Sequence, residues 1–172
     1  MNKALQPYAT LGRSLIWLGA IVLLLAFYGF YSGFGDDDRS LMRVTGTDQV
    51  ILSRDRQGHF RAKGEINGQP VDFLVDTGAT DVAVSARLAR KLGLETGPEI
   101  RVRTASGTAR GHLTRLEQVA VGPLLLDDVR ATIMPELGGE ALLGMSFLRH
   151  LDLIQSGDQL ILAPAGQTVG VE

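Results

Sequence analysis

The sequence predicts a mainly β domain with one short helix, preceded by one transmembrane helix. Three observations carry this expectation. Val71, Phe73 and Val75 alternate with Asp72, Leu74 and Asp76, the period of a strand. Asn67-Gly68 stands between two strand-like runs, and both central positions of a type I′ hairpin turn need φ > 0. Between Arg13 and Asp36 lie 22 residues without a charge.

That uncharged segment, residues 14–35, is long enough as a helix at about 1.5 Å per residue to cross a hydrocarbon core of roughly 30 Å. Trp17 at one end and Tyr28, Tyr31 and Phe34 at the other suit the two interfaces. Lys3 and Arg13 precede it and Asp36, Asp37 and Asp38 follow, so the positive-inside rule places residues 1–13 in the cytoplasm. Everything beyond the helix is then expected on the far side, which in a bacterium is the periplasm. Residues 36–46 read as a tether, 47–164 as the folded domain and 165–172 as a C-terminal tail.

Within the domain, Val50-Ile51-Leu52 is a strand candidate, followed by a turn at Arg54 to Gly58 and the Asn67-Gly68 hairpin. Val82-Ala83-Val84 is strand-like. Ser85 then caps a helix from Ala86 to Leu92 that Gly93 ends, with Leu88 and Leu92 expected to face the core. Ile100 to Arg103 and Leu113 to Val121 flank a run of small residues from Thr104 to Gly111, the pattern of a mobile hairpin. Val129, Ala131 and Ile133 alternate with Arg130, Thr132 and Met134, as in a half-buried strand. A helical turn or two from Met145 to His150 and a hairpin turning at Ser156-Gly157-Asp158 complete the domain.

Composition narrows the chemistry. The chain of 172 residues has a formal net charge of −2 and scattered basic residues, which leaves no nucleic-acid footprint. It has no cysteine, so disulfides, thiol catalysis and thiolate metal sites are excluded together. His59, His112 and His150 lack metal-ligand spacing, and Gly144-Met145-Ser146 is not a nucleophile elbow.

The segment Phe73-Leu74-Val75-Asp76-Thr77-Gly78-Ala79-Thr80 and the later Ala141-Leu142-Leu143-Gly144-Met145-Ser146-Phe147-Leu148 together resemble the retropepsin-like aspartic proteases, most closely their bacterial membrane-anchored members. The resemblance covers roughly Phe60 to Pro164 and implies the retropepsin-like acid protease fold, a closed, barrel-like half-site with one short helix. It implies that Asp76 is the catalytic carboxylate and that Thr77 and Gly78 support its loop. It also implies that Gly78, Ala79, Thr80 and Asp81 line the substrate together with Ser106 and Gly107 of a flap. Two carboxylates sharing one proton are needed for this chemistry, and the chain has a single Asp-Thr-Gly. The resemblance therefore implies a homodimer acting on a peptide or protein, with no metal or organic cofactor. Viral members commonly carry charged residues at the places of Thr80 and Met145, and here both are uncharged. A membrane-tethered peptide-binding or dimerisation module on the same fold is the alternative.

Overall fold

The computed structural model describes residues 19–28, 42–44, 49–104, 107–139 and 141–166. The chain divides into two units, Met1–Arg39 and Ser40–Glu172. In the first, residues 19–28 are helical (α1) and their large apolar side chains are exposed, Leu23 at 73% and Leu24 at 69%. Among the described residues no helix is long and apolar enough to cross a membrane. The rest of the predicted span 14–35 lies outside the described residues, as do most of the tether and the C-terminal tail.

The second unit holds eleven described strands and two short helices, where the sequence suggested one well-formed helix. The strands are β1 (Met42–Val44), β2 (Val50–Ser53), β3 (Arg61–Ile66), β4 (Gln69–Val75), β5 (Val82–Ser85), β6 (Glu99–Thr104), β7 (Gly107–Val121), β8 (Leu124–Met134), β9 (Ala141–Leu143), β10 (Leu151–Ser156) and β11 (Gln159–Pro164). The helices are α2 (Ala86–Lys91) and α3 (Met145–Leu148). The main sheet runs β1-β8-β5-β9-β4-β3-β7-β6, and a further pairing of β7 with β8 closes it into a barrel. A second sheet, β10-β11-β2, joins the domain's early and late strands.

Local chemistry explains most of the boundaries. The β3–β4 hairpin turns at Asn67 and Gly68, with φ of +51° and +72°, as a type I′ turn requires. The Ser85 side chain accepts from the Leu88 amide and caps α2. Its other end is a Schellman motif, in which the Leu94 amide donates to the Ala89 carbonyl and the Gly93 amide to that of Arg90. Ala89, rather than Leu88 or Leu92, is the fully buried residue of α2; the two leucines are half-buried against the core. So short a helix has room for only one residue pointing straight inward.

The barrel interior is apolar, with Phe73, Phe147, Ile66, Leu116 and Leu143 completely buried. Along β8 the inward phase changes, from Leu124 and Leu126 to Val129, Ala131 and Ile133. Asp128, at φ +54°, sits at the change, and Arg115 holds it with a 2.8 Å ion pair. Beyond this kink the predicted half-buried alternation gives way to burial on both faces, because Thr132 and Met134 turn toward a cleft beside the Asp76 loop. The small-residue hairpin is also narrower than expected. β6 continues through Thr104 and β7 begins at Gly107, so most of the run from Thr104 to Gly111 is strand.

The turn at Asp55 has a separate electrostatic character. Arg61 Nε donates to Asp55 Oδ2 at 2.7 Å, and the amides of His59 and Gln57 donate to Oδ1 at 2.9 and 2.8 Å. The Arg61 bond above all, then these backbone donors, pull the carboxyl down to about 2 from 3.8. A carboxyl whose folded value is depressed stabilises the fold above its unfolded value and loses that contribution as pH falls through its folded value. The difference in melting temperature between wild type and Asp55→Asn should therefore be full above about pH 4 and vanish near pH 2, as thermal scans across that range will read.

Candidate active site

The strand β4 delivers the chain to Asp76, and β9 fixes the loop that begins there. β9 lies between β4 and β5, parallel to the first (Val75 opposite Leu143) and antiparallel to the second (Ala83 opposite Leu142). The Asp76 amide donates to the Leu143 carbonyl at 3.1 Å. The Gly78 amide donates to Asp76 Oδ1 at 2.9 Å and the Ala79 amide to the Asp76 carbonyl at 3.2 Å, so the loop folds tightly back on its own carboxylate. Asp76 is half-buried, while Thr77 and Gly78 are exposed.

The far limb of the loop is held by the start of α3. The amides of Met145 and Ser146 donate to the carbonyls of Ala79 and Thr80 at 2.8 and 2.9 Å, and the Ser146 hydroxyl accepts from the Val82 amide at 2.9 Å. Gly144 makes this approach possible. A Cβ there would overlap the Asp81 carbonyl and come within 2.8 Å of the Ala79 oxygen.

Asp81 was expected to line substrate, and it does border the cleft, but its carboxylate is already engaged. Arg130 Nε donates to Oδ1 at 2.7 Å and the Thr132 hydroxyl to Oδ2 at 3.0 Å. The Asp81 side chain is only 11% exposed, so removing Arg130 would strand a largely desolvated charge. Asp81 is thus a brace between the loop and β8.

Asp76, Gly78, Ala79, Thr80 and Asp81 border a cavity of about 670 Å³. Its walls include Ala83, Leu142, Thr132 and Met134, and strand β6 covers it from Ile100 to Thr104. Thr77 and Gly107 are not among the bordering residues, and Ser106 lies outside the described residues. Sequence reasoning missed Ile100, Val102, Met134 and Leu142 as cleft residues, although the alternation of Ile100 and Val102 with Arg101 and Arg103 was visible. It also missed Ser146, Arg130 and Thr132. Nothing in a linear pattern links a polar residue on β8 to a loop so much earlier in the chain.

Fold and loop together point to an aspartyl protease class, and the matching family and a solved structure agree. Residues 62–150 match the family described as gag-polyprotein putative aspartyl protease, and the chain belongs to that family. It is 30% identical over 156 residues to an uncharacterized protein in the cobV 5′ region of Sinorhizobium sp, covering 81% of this chain and 67% of that one. An uncharacterized protein of Rickettsia prowazekii (strain Madrid E) is 31% identical over 85 residues, covering 49% of this chain and 34% of its own length. Among solved structures, the chain is similar to a retropepsin-like aspartic protease from Rickettsia conorii, with a TM-score of 0.55 and 26% identity, covering 72% of this chain and 94% of that one.

The packing beneath the loop can be tested directly. Gly144→Ala forces a methyl into the Asp81 carbonyl, and overpacking of this kind costs about 1–3 kcal/mol. Urea unfolding should show a loss of that size, and an unchanged midpoint would mean that the approach at Gly144 is not tight.

Proposed function

We propose that this chain is a membrane-anchored aspartic endopeptidase that works as a homodimer, with Asp76 of each copy facing a shared water. The observation that carries this reading is the fixed position of Asp76. The Leu143 carbonyl and the Gly78 amide hold it half-buried at the edge of a 670 Å³ cleft, on the single Asp-Thr-Gly of the chain. One carboxylate of the pair takes a proton from the water as it attacks the peptide carbonyl; the other, protonated, donates to the carbonyl oxygen. The shared proton belongs to the pair. In this reading Thr77, which is exposed, meets the second copy's loop, and Gly78, Ala79 and Thr80, which border the cleft, offer backbone to a bound peptide. No metal or organic cofactor enters this mechanism.

The proposed anchor is the segment 14–35. Its helical residues 19–28 carry exposed apolar side chains, as a helix solvated by lipid does. The flanking charges favour a cytoplasmic N-terminus and a periplasmic protease unit. Holding two copies in one membrane raises their effective concentration and favours pairing.

Cleavage of a mixed peptide library by the full-length protein should disappear in Asp76→Ala, a loss of about three or more orders of magnitude if the carboxylate is the general base. A wild type that never cuts while folded and dimeric would favour the peptide-binding module. Because one proton must be retained between two carboxylates, the rate should be greatest on the acid side of neutrality and fall as pH rises. Undiminished activity in alkaline buffer would contradict the shared-proton mechanism.

A further inference from the structure

Among the described residues β6 is an edge strand, paired with β7 alone. Its other edge presents backbone N–H and C=O groups on which an extended peptide can add as a further strand. The two faces of β6 differ in chemistry. Ile100, Val102 and Thr104 are half-buried, and Val102 lies opposite Ala109. Arg101 and Arg103 are exposed on the other face, with Arg110 directly across from Arg101. Both Arg101 and Arg103 border the cavity that holds Asp76.

Like charges set directly opposite one another in a sheet cost stability. Arg110 has Glu99 at 3.9 Å, but the side chains of Arg101 and Arg103 have no ion-pair or hydrogen-bond partner among the described residues. Two uncommitted guanidinium groups therefore stand on one face of an open strand, about 7 Å apart along the chain.

We propose that β6 selects extended peptides carrying two acidic side chains separated by one apolar residue. An added strand alternates with the same period as β6, so both acids meet the face of Arg101 and Arg103 while the intervening residue turns toward Ile100 and Val102. This pattern names a substrate class for the cleft, and it rests on the peptidase reading.

The test measures binding of labelled peptides to full-length Asp76→Asn protein in detergent, by fluorescence anisotropy at low and high salt. Three peptides share one apolar core: acids flanking an apolar residue, the same acids side by side, and the amide counterpart of the first. The alternating peptide should bind on the order of fivefold tighter than the side-by-side peptide, the scale of two exposed charge pairs. High salt should shrink that advantage. Arg101→Gln with Arg103→Gln should abolish it while leaving the melting temperature unchanged or higher, since the side chains are exposed and mutually repulsive.

Equal binding of the two acidic peptides would reduce the effect to net charge and overturn the proposal. So would a double variant that loses binding to vesicles containing anionic phospholipid while wild type shows no preference among the peptides, because the arginines would then serve a lipid surface. Cleavage of the amide peptide by wild type, run in parallel, separates the two readings. A protein that cuts it without preferring the alternating acids refutes the pattern alone, and one that prefers the pattern yet never cuts refutes the peptidase alone.

Discussion

The structure depends on the insertion of β9 between β4 and β5. Three residues, Ala141 to Leu143, complete the barrel wall, accept the Asp76 amide, and deliver Gly144 to a place beside the Asp81 carbonyl where a side chain cannot fit. Because β9 is parallel to β4, its C-terminal end coincides with the end of β4, and both strands stop at the Asp76 loop. The carboxylate is therefore held by a strand pairing as well as by a turn. That distinction bears on the proposed catalysis, since a loop fixed from both sides costs little to reorganise when a reacting group arrives.

Around this crossing the polar groups form one connected set. The α3 amides take the carbonyls of Ala79 and Thr80, Ser146 takes the Val82 amide, and Asp81 is locked to Arg130 and Thr132. Among the described residues no buried side-chain polar atom is left without a partner. Burying polar groups so close to a cleft is tolerable only when each is satisfied. The Asp81–Arg130 pair also brings the kinked end of β8 under the cleft, which is why Thr132 and Met134 became wall residues.

Much of this was legible in the sequence wherever the cause was local. Asn67-Gly68, the Ser85 cap and the Gly93 terminus each announce a backbone geometry through their own side chain, or through the lack of one. The two motifs around Asp76 and Gly144 were legible by resemblance. Long-range matters were not. The Asp81 carboxylate reads as a cleft residue until Arg130, far along the chain, is seen to claim it. The phase change at Asp128 hides the second inward face of β8, since a period-two pattern assumes an unbroken strand. Ala89 was overlooked because a single small residue contributes little to a helical apolar stripe.

The small sheet β10-β11-β2 pairs Leu52 with Leu160, residues roughly a hundred positions apart, so its hydrogen bonds form only after the chain through β11 is available. The Asp76 loop likewise waits for β9. During synthesis, then, the domain emerges with its carboxylate on an unsupported turn, and the cleft is assembled only as the last strands arrive. The contacts that hold Asp76 and its cleft are thus completed together with closure of the fold.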